Sequence, residues 1–341
     1  MTRRMTRRSA LGLGAAALSA AALAGCSSGK FTKDGKVKLR MAHTLGDKHP
    51  TSKALEIFVD EVNQRSNGDI RIEVFGNGVL GSETESIEQL SRGVVDIVRC
   101  AAPSIAPYSS GYNAFGLPFL FDDEEHYYRA MDSGDMRTFF DSSTEDGFRT
   151  LTYYTSGARS FYTVDKAIET PDDLRGFKIR VQNFRSQTEL ISKLGGTPLI
   201  LPFGEIYTGL QTGLVDGAES NETALTDSAH GEVAKVFTYT EHTMIPDVLS
   251  FSEATWKLLD ADHQKVLSEA AVASTEQHKT IWSEAITKAI TDAEAMGVTF
   301  VKDVDREPFR ELTSGIVPEF VDKYDGVSTV LDAIEHARKG A

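Results

Sequence analysis

Between Ala261 and Met296 the chain carries neither glycine nor proline, and alanine, glutamate, lysine and glutamine abound. Coiled as one α-helix at 1.5 Å per residue, this stretch is roughly 50 Å long. That is longer than one compact domain needs. It fits a single bent rod bridging two domains.

The residues before it supply the material for α/β domains. Val37 to Ala42 (VKLRMA) reads as a strand. Leu55, Phe58, Val59 and Val62 recur at helical spacing, so Ser52 to Gln64 reads as an amphipathic helix, stopped by Asn67-Gly68. Ile70, Ile72 and Val74 alternate as a second strand. A glycine loop (Gly76 to Gly81), a helix (Glu83 to Arg92) and a third strand (Val94 to Val98) follow. Strand, helix, strand, helix, strand is the order of a parallel sheet covered on both faces. Further on, LTYYTSGARSFYTV reads as two strands broken at Gly157, and Val248 to Ser252 as another. VTFVKD is a last strand, with helices near Pro308–Tyr324 and Val327–Arg338.

The segment Gly176 to Asn183 (GFKIRVQN) carries the awkward residue of the chain. Phe177, Ile179 and Val181 alternate with Lys178, Arg180 and Gln182, a short strand with one apolar face. Arg180 sits in mid-strand, where a cation is expensive unless something pairs with it. An internal salt bridge, solvent, or the carboxylate of a bound solute would each serve.

The N-terminus sets the compartment. Arg3, Arg4, Arg7 and Arg8 precede an uncharged run from Ser9 to Gly29, built on alanine, leucine, glycine and serine. Basic, then apolar, then small is the layout of a secretory signal, here residues 1–25. Leu23-Ala24-Gly25-Cys26 resembles a bacterial lipobox, which implies cleavage before Cys26 and diacylglycerol on its sulfur. Arg7-Arg8 followed by Ser9-Ala10-Leu11 is similar to a twin-arginine export signal. Residues 26–34 are then a lipidated tether. Cys26 and Cys100 are the two cysteines, so no disulfide within one mature chain is available. With the four signal arginines removed from 36 basic residues against 50 acidic ones, the mature net charge is −18. Such a chain is a poor partner for nucleic acid, which needs surplus lysine and arginine.

Catalytic and cofactor motifs find little support. Gly76-Asn77-Gly78-Val79-Leu80-Gly81 is a literal GxGxxG, and Asp96 falls 20 residues beyond Gly76. Glu83 and Glu85, however, occupy the helical turn where a pyrophosphate would sit, and Asp96 lies inside the expected third strand. No GxSxG, HExxH, phosphate-binding lysine loop or CxxC occurs. His43 and His49 share a loop without a third metal ligand. Neither an enzyme activity, a cofactor nor a metal is expected. What remains is a set of polar groups at strand ends, Arg99, Arg159, Arg180, Asn183 and Glu219, where open parallel sheets bind ligands.

With those residues in view, the chain resembles the substrate-binding proteins of tripartite ATP-independent periplasmic (TRAP) transporters, the DctP family. The resemblance rests on FGNGVLGSETESIEQLSRGVVDI, LPFLFDDEEH, SGARSFYT, PDDLRGFKIRVQN, GTPLILPFGEIYTGLQTGLVDGAES and the run ending at His242. It implies a two-domain periplasmic-binding-protein-like α/β fold, a deep cleft, and a long helix shared by both domains. The partition it suggests is residues 35–156 plus 246–285 for domain I, and 157–245 plus 286–341 for domain II. It also implies an organic acid as ligand and a membrane permease driven by an ion gradient as partner. A monomer tethered by lipid to the outer face of the cell membrane is expected.

In the family the arginine of the KIR strand holds the ligand carboxylate in a bidentate grip, which implies that role for Arg180. By the same resemblance Arg159, Asn183 and Phe203 line the ligand. Glu219 and Asn221 belong to the DGAESN segment, which departs from the family pattern by placing Ser220 directly after the glutamate. Ala101 stands where sialic-acid members carry a glutamate. The runs SGARSFYT and DGAES look closest to members taking sugar acids such as glucuronate or galacturonate. Glu83, Arg99 and His43 are then partners for hydroxyls or a second acidic group. A C4-dicarboxylate, a 2-keto acid, or an exported enzyme acting on a carboxylate are the alternatives.

Overall fold

The computed structural model describes residues 30–32 and 35–340. The signal sequence and Cys26 lie outside the described residues. Among these residues no helix is long and apolar enough to cross a membrane.

Two mixed sheets make the two bodies. The first has five strands, β1 (Val37–Ala42), β2 (Ile70–Phe75), β3 (Ile97–Ala101), β4 (Phe148–Tyr154) and β10 (Asp247–Ser252), in the order β2-β1-β3-β10-β4. β1 pairs in parallel with β2 and β3, while β10 runs antiparallel between β3 and β4. The second has six, β5 (Arg159–Thr163), β6 (Lys178–Val181), β7 (Thr197–Ile200), β8 (Gly217–Ser220), β9 (Val236–Thr243) and β11 (Thr299–Val301). Their order is β11-β9-β5-β8-β6-β7. The parallel trio β8-β6-β7 directs its carboxyl ends to one edge. The chain passes between the bodies at Thr155–Ala158 and returns at Met244–Pro246.

The long helix is continuous from Ala261 to Ala295. Its first half buries Leu267, Ala270 and Ala271 in the core of the first sheet, against Phe58, Leu249 and Phe251. Its far end buries Ala293 in the core of the second, with Tyr162 and Phe237. One continuous element is therefore anchored in both cores. Between these anchors, Trp282 packs beneath the first crossing strand. Gly157 there has φ +65°, and a Cβ added to it would meet Trp282 Cζ2 at 3.1 Å.

Three features differ from the reading of the sequence. The third strand begins at Ile97, not Val94: Gly93 turns at φ +68° and leaves Val94 exposed. Asp96 is then buried at the amino end of β3, where it accepts from the Arg40 amide at 2.8 Å and from Thr255 Oγ1 at 2.9 Å. The Pro308–Tyr324 helix is two helices, Glu307–Thr313 and Ile316–Lys323. The C-terminal helix Val327–Lys339 packs on the first body rather than the second, against Ser110–Gly116 and Glu124–Met131. Its Ile334 carbonyl pairs with His126 Nε2 at 2.9 Å, and Val330 and Ile334 sit in the core shared with Tyr127 and Phe115. The apolar face of that helix finds its complement in the aromatic segment 103–121, a pairing distant in sequence.

The close fit at the crossing is testable. Gly157→Ala forces a left-handed residue against an aromatic ring, and the positive φ alone costs about 1–2 kcal/mol. Urea unfolding should register at least that loss, whereas Gly204→Ala, with ordinary φ and nothing within 4 Å, should leave stability unchanged.

Candidate functional site

The carboxyl ends of β1, β2 and β3 face those of β6, β7 and β8 across a cleft of about 770 Å³. From the first body the loop after β1, the glycine loop after β2 and the start of the Glu83–Ser91 helix line it. From the second come the residues that follow β6, β7 and β8. Arg99, Arg159, Arg180, Asn183, Phe203, Glu83 and Asn221, all picked out from sequence, reach this one cavity.

The three arginines are not equivalent. Arg159 is 5% exposed, and its Nη2 donates to Glu219 Oε1 at 2.9 Å and to the Glu219 carbonyl at 2.6 Å, with Nε on the other carboxylate oxygen. Glu219 is fully buried behind it. Burial alone would raise the Glu219 carboxyl, but the Arg159 guanidinium holds it down to about 2. Arg99 lies between Asp247, which accepts from Nη2, and Glu83, whose Oε2 is 3.6 Å from Nη1.

Arg180 is 4% exposed and has no carboxylate within 4.0 Å among the described residues. Among the described residues its one side-chain hydrogen bond runs from Nε to the Leu201 carbonyl at 2.9 Å, which leaves both terminal nitrogens without a partner among those residues. Burial lowers its pKa to about 10, still charged at neutral pH. The β6 backbone explains the placement. Ile179, Arg180 and Val181 are all buried, and of the polar face expected from the alternation Arg180 and Gln182 line the cleft while Lys178 reaches solvent. A buried planar cation with two free, parallel donors suits a carboxylate.

The neighbours divide into free and occupied groups. Asn183, one residue past Gln182, is exposed on the cleft, and its side chain makes no hydrogen bond among the described residues. Phe203 is half-buried, with its ring 5.9 Å from His230. Asn221 is occupied: Nδ2 donates to the Ser156 carbonyl at 2.9 Å, and Oδ1 accepts from the Thr223 amide and hydroxyl at 3.0 and 2.7 Å. It shapes the floor as a turn rather than offering its amide.

Two expected site residues do not reach the cleft. Glu219 is consumed by Arg159, as above, with His242 Nε2 at 3.8 Å on its far side. His43 is buried against the glycine loop, where a Cβ at Gly76 would stand 2.8 Å from His43 Cε1. Burial, aided by Arg99, pushes its pKa down to about 4, so it stays neutral. The glycine loop thus serves close packing. At its end Glu85 accepts from the Ser82 amide at 2.7 Å, closing a capping box over the helix start where a pyrophosphate would have to bind.

Sequence reading missed three contributors. His49 lines the cleft; it immediately precedes Pro50 at the helix start, a capping signal that was legible, and its Nδ1 accepts from the Thr51 amide at 3.1 Å. Asp247 and Gln182 also line it. Asp247 begins β10, far along the chain from its partner Arg99, and no local pattern announces that pairing.

Fold and site together define a two-body binding protein whose cleft presents an unpaired guanidinium to an anion. Residues 41–323 match the bacterial extracellular solute-binding protein family 7, DctP, and the chain belongs to that family. It is 37% identical over 309 residues to the uncharacterized protein YiiZ of Salmonella typhimurium strain LT2, over 90% of this chain and 92% of that one. A TRAP periplasmic solute binding protein of Anaerococcus prevotii, solved with bound α/β-D-glucuronate, superposes with a TM-score of 0.86 at 32% identity, covering 89% of this chain and 99% of that one. Another, of Sulfitobacter sp. NAS-14.1 with bound β-D-galacturonate, gives 0.84 at 30% identity, covering 88% and 99%.

The contrast between the arginines predicts opposite responses to mutation. Glu219→Gln strands a buried charge on Arg159 and should cost about 3–5 kcal/mol in urea unfolding of the ligand-free protein. Arg180→Met removes a charge that has no partner, and the ligand-free protein should be as stable as the parent or more so.

Proposed function

We propose that this protein captures a sugar acid outside the cytoplasm and hands it, chemically unchanged, to a TRAP membrane permease. The observation that carries the reading is Arg180, buried in the cleft with two terminal nitrogens left for a carboxylate. The uronates bound in the Anaerococcus and Sulfitobacter proteins support a hexuronate such as D-glucuronate or D-galacturonate as the solute. Arg180 grips its carboxylate through two parallel bonds. Arg159, its charge spent on Glu219, adds a donor, Asn183 supplies a free amide, and Phe203 covers the sugar ring.

Capture is a hinge closure of the two bodies about the crossings at 155–158 and 244–246. The long helix and Trp282 form the spine of that hinge. The family match and the uronate-bound neighbours are solute-binding proteins, which supports binding and release over a reaction. The N-terminal pattern supports export of residues 1–25 as a signal and attachment of the mature chain, a monomer, through lipid on Cys26. A Cys26→Ser protein should move from the membrane to the soluble fraction of cells; a protein that stays on the membrane would end the lipid proposal.

A thermal-shift screen over uronates, C4-dicarboxylates and 2-keto acids tests the ligand. A solute present at 100 times its Kd stabilises the folded protein by about 2.7 kcal/mol, so D-glucuronate or D-galacturonate should raise the melting temperature. Arg180→Ala should abolish the shift, and Arg180→Lys should weaken binding strongly because an ammonium cannot make two parallel bonds. Parent-like affinity in Arg180→Ala would overturn the clamp.

A further inference from the structure

The two walls of the cleft carry different charge. On the second body Arg159 and Glu219 cancel and Arg180 has no carboxylate within 4.0 Å among the described residues, while the exposed Glu205 also lines the cleft. On the first body a single guanidinium, Arg99, stands against two carboxylates, Asp247 and Glu83. Glu85, which caps the helix start, adds a third carboxylate to the same lining, so that wall is formally negative by two charges. Burial, opposed by Arg99, raises the Asp247 carboxyl only to about 6, so at pH 8 it is ionised.

The free atoms on this wall are acceptors, with one neutral donor. Glu83 already accepts from the Ser104 hydroxyl and, at 3.3 Å, from the Ala101 amide, and has lone pairs to spare. Asp247 spends one oxygen on Arg99; the other has no protein partner and is not among the sealed, unpartnered atoms of the interior. His49 is held neutral by burial, and its Nδ1 accepts from the Thr51 amide. Its proton therefore sits on Nε2, which is likewise unpartnered and unsealed. Arg99 offers little to a ligand, since its Nε is buried and its terminal nitrogens face the two acids.

The walls are close enough to act on one another. The charge of Glu83 reaches Arg180, and that of Asp247 reaches Arg159. A ligand whose carboxylate sits on Arg180 therefore lies in the field of the acidic wall. Hydroxyls placed there find acceptors and one donor. A second carboxylate placed there finds like charge.

We propose that the Glu83–Asp247 wall restricts this site to hydroxylated monocarboxylates and excludes ligands bearing a second carboxylate. The inference rests on the sugar-acid reading above and narrows it to acids with a single charge.

Calorimetric titration of the mature protein at pH 8 tests it with pairs that differ by oxidation of one terminal carbon. The pairs are D-galacturonate with galactarate, D-glucuronate with D-glucarate, and D-glycerate with tartronate. Each dicarboxylate should bind more weakly than its partner by on the order of a hundredfold. Glu83→Gln keeps an acceptor oxygen, removes one negative charge, and should shrink that gap at least tenfold by tightening the dicarboxylate. Parent protein that binds the members of each pair within threefold would overturn the inference, as would a gap unchanged in both Glu83→Gln and Asp247→Asn. Binding of D-glycerate over tartronate with no uronate bound would defeat the sugar-acid reading and leave the charge rule standing. No binding by any member would defeat both.

Discussion

A guanidinium buried without a counter-charge is the constraint on which this structure turns. Taking a charged group out of water costs several kcal/mol even after relaxation, and Arg180 is given only the Leu201 carbonyl in return. Elsewhere in the cleft the chain avoids that expense: Arg159 is matched by Glu219 and Arg99 by Asp247 and Glu83. That asymmetry supports the proposed role of Arg180, whose planar guanidinium suits a planar anion.

The architecture makes that placement of Arg180 possible. Parallel strands of both sheets end at the same cleft, so side chains from six strand ends converge without any strand having to bend. Two of the apolar cores, one in each body, are both entered by the long helix. Strain and polar burial can then concentrate at the cleft while apolar packing maintains each body. The shared helix ties the two walls together, so the proposed closure bends that helix as well as the short crossings.

Much of this was legible in the sequence, and the limits have identifiable causes. The strands Val37–Ala42 and Ile70–Phe75 and the long helix carry strong local periodicity, which survives folding because each buries one face. Ile97–Ala101 was misplaced by three residues because Val94 and Val95 extend an apolar run that the turn at Gly93 interrupts. Arg180 could be singled out because a cation in an apolar strand is anomalous by itself. The roles of Glu219 and His43 could not be separated from those of true lining residues, since both lie beside the cleft in sequence and one layer behind it in space. Asp247 pairs with Arg99 across 148 positions. Partnerships of that range are set by the sheet order, β3 beside β10, which periodicity does not specify.

The most direct test of the central claim is a crystal structure of the protein with D-galacturonate. Both carboxylate oxygens should lie within hydrogen-bond distance of the terminal nitrogens of Arg180, with the sugar hydroxyls toward Glu83, Asp247 and His49. A carboxylate seated on Arg99, with Arg180 facing hydroxyls or water, would contradict the account.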